Sequence, residues 1–147
     1  MKNRVKGCLF AIVVLFVCGC GLIAPVAESV QSVGITAGDR QALLPNELTK
    51  FNTALFWGRA PDALAYVLPE SRESVQAQLR KGRDQERLVE SKVDNIDYSE
   101  DGYDATVEVT FKYFKVPFYI VTERHEVQKW RFTIRNGWKL LSREIQT

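Results

Sequence analysis

Apolar and polar positions follow three successive patterns along these 147 residues. Leu9 to Val17 is an unbroken apolar run. From Leu48 to Leu79 apolar residues recur every three or four positions, the spacing of helices with one buried face. From Val89 to Ile145 they alternate, the spacing of strands with one buried face.

The helical stretch divides at its punctuation. Asn46 suits an N-cap, and Glu47, Leu48, Phe51, Leu55 and Phe56 follow before Gly58, which suits the left-handed position after a helix. Pro61 fits the first turn of a second short helix carrying Leu64, Val67 and Leu68, which Pro69 stops. Ser71 then caps a third segment, with Val75 and Leu79 one turn apart and Gly82 as its stop.

In the stranded stretch, Val89 and Val93 share one phase and Ile96 and Tyr98 another, so a bulge is expected between them. Glu100-Asp101-Gly102 is a tight turn. Ala105 to Val116 and Val121 to Arg135 are two long strands. Asn136-Gly137 turns the second into a last strand, Trp138 to Ile145. Helices first and hairpin-linked strands afterwards define an α+β fold. N-terminal helices pack on a strongly curved antiparallel sheet of about four strands and close a cone.

Lys2, Arg4 and Lys6 precede the first apolar run, and Val17-Cys18-Gly19-Cys20 closes it. The arrangement resembles a bacterial lipoprotein signal peptide, with a basic start and an apolar core of ~7–15 residues. That resemblance implies cleavage before Cys20, lipid on Cys20 and a place in the bacterial cell envelope. Gly21 then favours the outer membrane, with the domain facing the periplasm. An uncleaved single span is the alternative, but it needs roughly 20 apolar residues, and Gly19 and Gly21 interrupt the run. The expected organisation is a leader at 1–19, the lipidated cysteine and a tether at 20–45, and the domain at 46–147. Such a tether reaches roughly 25–30 Å if flexible.

Cleavage changes the composition. Cys8 and Cys18 leave and lipid occupies Cys20, so the domain has no disulfide to rely on. Three of 20 basic residues are lost against 18 acidic ones, which moves the formal charge from +2 to −1. Nucleic-acid binding lacks the basic surplus it needs. One histidine without a free cysteine builds no zinc centre, and no motif calls for a cofactor.

Phe56-Trp57-Gly58, Ala63, Val67, Pro69-Glu70 and Asn136-Gly137-Trp138-Lys139-Leu140, in this order of elements, resemble the nuclear transport factor two-like superfamily. The resemblance spans Leu48 to Ser142 and is closest to small proteobacterial lipoproteins of that shape. It implies the cone fold, and a homodimer formed through the open sheet face at Thr110, Lys112 and Phe114. It implies no activity, because the superfamily hosts enzymes, ligand binders and interaction modules alike.

Three functions are therefore compared. The first is a non-catalytic, membrane-anchored interaction or scaffold module. Its surface is the apolar hairpin tip Phe114, Val116, Phe118 and Tyr119, since such tips are usually polar. The second is a binder of a small apolar or lipid ligand in a pocket lined by Tyr66, Val109, Phe111 and Trp130. The third is an isomerase or dehydratase, which needs an acid or histidine aimed into that pocket. Asp62, Tyr98, Tyr113 and His125 are its candidates. Asp62 reads as a helix-start acid and His125 as an exposed strand residue, so no catalytic residue is assigned.

Overall fold

The computed structural model describes residues 34, 36–83 and 86–146. The expected leader, Cys20 and the first part of the tether lie outside the described residues. Helix α1 (Ala37–Phe56) leads into the short α2 (Ala60–Leu64), a single 3-10 turn (Pro69–Ser71) and α3 (Arg72–Arg83). Four strands follow: β1 (Glu86–Tyr98), β2 (Asp104–Lys115), β3 (Phe118–Thr133) and β4 (Gly137–Gln146). They pair antiparallel in chain order, a meander. Among the described residues no helix is long and apolar enough to cross a membrane.

The first helix corrects the sequence reading. It starts at Ala37, not after Asn46, so residues 37–45 of the expected tether are helical. Thr36 Oγ1 accepts the Asp39 amide at 3.1 Å and Asp39 Oδ2 accepts the Thr36 amide at 3.1 Å, a reciprocal cap. Pro45 read as a boundary because it removes the bond to the carbonyl of Gln41. That carbonyl accepts the Tyr98 hydroxyl at 3.1 Å instead, and the neighbouring Arg40 carbonyl accepts Trp138 Nε1 at 2.6 Å. Tertiary donors thus replace the missing local one. The third helix likewise runs through Gly82 to Arg83.

The expected bulge lies between Val93 and Asn95, and a second lies between Leu88 and Glu90. Both bend β1. Leu44, Leu48 and Phe51 of α1 and Val75 of α3 meet Val107, Val109, Phe111, Trp130, Trp138 and Leu140 of the sheet in one buried core. Edge-to-face rings join it, Phe51 to Trp130 at 5.5 Å and Phe132 to Trp138 at 5.7 Å.

The β1–β2 turn packs on the start of α1. Gly102 has φ +67°, and a Cβ there would come within 3.1 Å of Ala37. Asp101 Oδ1 accepts the Ser99 hydroxyl at 2.6 Å and the Tyr103 amide at 3.0 Å. These bonds, the hydroxyl first, hold its carboxyl below the ordinary value of 3.8. A carboxyl depressed on folding stabilises above its unfolded pKa, and that stability is lost as pH falls through the folded value. The urea midpoint is therefore expected to drop on acidification below about pH 4. Asp101→Asn should flatten part of that limb; an identical limb in the variant refutes the assignment.

Candidate functional site

Where the C-terminal ends of α1 and α3 approach the first residues of β1 and the last of β4, the cone stands open. Leu55, Phe56 and Trp57 form one lip, with Leu79 and Lys81 of α3 beside them. Glu86, Arg87 and Leu88 of β1 and Arg143, Glu144 and Ile145 of β4 complete the rim of a cleft of about 1140 Å³. Trp57 is 67% exposed, with its ring edge-on to Phe56 at 5.2 Å. A large aromatic left in water at a concave mouth is the first sign of a contact surface.

Charged groups lie under these lips. Glu126 is fully buried and takes Arg143 Nε on Oε2 at 3.0 Å and Arg124 Nε on Oε1 at 2.8 Å. Arg143 Nη2 also donates to Glu126 Oε1, and Arg124 Nη1 donates to Glu86 Oε2. The result is a chain of alternating charges, Glu86–Arg124–Glu126–Arg143. Burial opposes the charge on Arg124, but Glu126 and Glu86 outweigh it and hold the guanidinium above its ordinary value. Its Cζ sits 5.1 Å from the Tyr113 ring centre and 5.6 Å from that of Phe111. Gln128 extends the polar layer inward by accepting Trp130 Nε1 at 3.2 Å.

The four residues expected to line a pocket do not line this cleft. Val109, Phe111 and Trp130 are buried core, as their common strand face predicts, but Phe51 and the other large side chains fill the space between them. Tyr66 is half-buried beside that core, under the Lys139 ammonium at 5.5 Å. The opening lies farther out, where ion pairs rather than apolar groups form the floor.

The hairpin tip stands at the same end of the molecule. Phe118 and Tyr119 are 71% and 73% exposed, Val116 is exposed, and Phe114 is half-buried with its ring 5.3 Å from that of Tyr119. The tip adjoins the cleft, because Arg87 pairs with Phe114 in the sheet and Lys115 Nζ lies 3.9 Å from Glu86.

His125 is exposed on the open sheet face. Its Nδ1 lies 2.9 Å from Thr110 Oγ1, whose single hydrogen goes to Asp94 Oδ2 at 2.5 Å. The imidazole must then donate to the hydroxyl. A nucleophilic triad needs the imidazole between carboxylate and hydroxyl, and here the order is reversed. Asp62 pairs with Arg59 at 3.3 Å in the first turn of α2, and Tyr98 is spent on Gln41. The open face around Thr110 and Lys112 is charged, with Lys112 2.9 Å from Glu90 and Arg131 2.8 Å from Asp104.

No protein-family model matches this chain, and no curated protein matches it. Solved structures do. A ketosteroid isomerase-like protein from Erwinia carotovora atroseptica superposes with a TM-score of 0.58 at 11% identity, over 71% of this chain and 92% of that one. A nuclear transport factor two-like protein from Cytophaga hutchinsonii gives 0.54 at 12%, over 73% and 97%. The intermembrane space region of the chloroplast protein ARC6 gives 0.50 at 19%, over 74% and 95%. Helices followed by a four-stranded antiparallel sheet, with these neighbours, give the chain the nuclear transport factor two-like α+β fold. At such identities the likeness extends to the fold alone.

Proposed function

We propose that this chain is a non-catalytic lipoprotein of the bacterial cell envelope. Cys20 holds it at the membrane, by the sorting argument the outer one. Its domain binds a protein partner through the open end of the cone. The observation that carries the reading is the gathering of exposed aromatic and aliphatic side chains at one end: Phe56 and Trp57 on the lip, Phe118 to Val121 on the tip. The described chain begins at the opposite end, where Gly34 lies against Phe132 and Arg40. An N-terminal anchor therefore leaves the sticky end free. The ion-paired floor supports a non-catalytic role, since both Glu126 oxygens are engaged by guanidinium donors. That a related fold serves in a chloroplast intermembrane space is in keeping with an envelope role.

Two measurements test this. Cys20→Ser is expected to move the chain from the membrane to the soluble fraction; a variant that stays with the membrane overturns the anchor. A photo-crosslinking amino acid at Trp57 is expected to capture a protein in living cells. The same probe at Ile134, as exposed but at the far end, should capture nothing. Equal capture at both, or none at Trp57, overturns the surface.

A second reading has its own observation. Arg124 and Arg143 sit beneath apolar lips in a cleft large enough for a lipid headgroup and part of its tail. Native mass spectrometry that finds a fatty-acid or phospholipid mass on the purified chain would favour this reading; an apo mass removes it.

A further inference from the structure

Tyr119, Ile120 and Val121 have no ladder partner on either side. Pairing of β3 with β2 passes from Tyr113↔Thr122 directly to Lys115↔Phe118, so only Phe114 stands opposite these three residues. On the other side, β4 ends at Gln146 opposite His125. The segment bows out of the sheet as an apolar peg, with Tyr119 and Ile120 each 73% exposed and Val121 52%. Beside it opens the cleft, with apolar lips and no side chain of its own to fill it.

We propose that the occupant of the cleft is the peg of a second copy of this chain. Each copy inserts Tyr119–Val121 between Trp57 and Leu88 of the other about a two-fold axis. The proposal rests on the interaction reading of the open end and names its first partner. Peg and cleft lie side by side at one end, so a single two-fold axis satisfies both at once and closes the assembly.

Charge follows the same symmetry. Lys81 and Glu144 on the cleft rim form no ion pair among the described residues. The peg is flanked by Lys115 and Glu123, whose only carboxylate or ammonium neighbours lie 3.9 Å and 4.0 Å away. Insertion sets Glu123 toward the partner's Lys81 and Lys115 toward the partner's Glu144. The open sheet face is the poorer dimer surface, because burying it would desolvate Lys92, Asp94, Lys112, Glu90, Arg131 and Asp104, which already pair with one another in water.

The test uses the full chain purified from membranes in detergent. Sedimentation should show a dimer whose dissociation constant rises at least about 30-fold in Ile120→Asp and in Trp57→Ala, the scale of a buried anchor. Both residues are exposed in the monomer, so the thermal midpoint of the dissociated protein should not move. Mixing Ile120→Cys chains with Trp57→Cys chains should give an oxidised heterodimer that neither variant nor the parent chain gives alone. Self-linking of Ile120→Cys would mean peg-to-peg pairing and overturns the insertion. A dimer that links instead through Thr110→Cys places the interface on the open face and overturns it too. A monomeric chain that still captures another protein at Trp57 overturns self-docking while leaving the interaction function intact.

Discussion

Glu126→Ala is expected to destabilise the domain by about 3–5 kcal/mol, the usual cost of breaking a buried ion pair from one side. The carboxylate is fully buried and Arg143 is 3% exposed, so removing the former leaves a guanidinium that water cannot reach. Arg124 loses its second carboxylate and keeps only Glu86. The loss should read as a lower urea midpoint with an unchanged slope. Replacing both partners, Glu126→Leu with Arg143→Met, should recover most of it, because two apolar side chains leave no unpaired charge. If the double variant is as unstable as the single one, the pair matters for packing and not for charge balance.

Arg40→Ala should cost about 3–4 kcal/mol, given roughly 1.5–3 kcal/mol for each hydrogen bond from a charged donor and incomplete additivity. Arg40 is buried in the first turns of α1 and donates to three main-chain carbonyls: Gly34 through Nη1 at 2.9 Å, Asp101 through Nη2 at 2.6 Å and Gly102 through Nε at 3.2 Å. Its guanidinium lies 4.0 Å from the Tyr103 ring centre. One side chain thus fastens the start of the helix to the β1–β2 turn. Arg40→Lys should restore less than half of the loss, since one ammonium cannot span a three-way fork or stack as a plane. Hydrogen exchange should quicken first at the amides of 40–44. A uniform change across the domain would contradict this local role.

Much of the fold was legible because strand periodicity and turn chemistry are local. The Asn136-Gly137 hairpin, the Val93 bulge and the shared face of Val107, Val109 and Phe111 all follow from spacing. Pro45 misled because its local meaning, a helix boundary, was reversed by donors far along the chain, Tyr98 and Trp138. The pocket misled differently. Parity tells which way Phe111 and Trp130 point, but not whether Phe51 fills the gap between them.

The ion-pair floor was half visible. Glu126 and Gln128 share the parity of Trp130 and Phe132, which already marks them as buried polar groups. Arg143 was hidden, because the register shift opposite Lys129 and Trp130 moves it onto the inner face out of step with Trp138 and Leu140.

Helix α1 begins beside Gly34 and the Asp101–Gly102 turn and ends at the lip with Phe56 and Trp57. Its 20 residues rise about 30 Å. It therefore acts as a mast, planted where the chain arrives and carrying the mouth at its top. Two such masts joined mouth to mouth point their feet in opposite directions. That is the geometry of a strut between two facing surfaces, and side-by-side anchoring in a single bilayer would require both leashes to fold back along the domain.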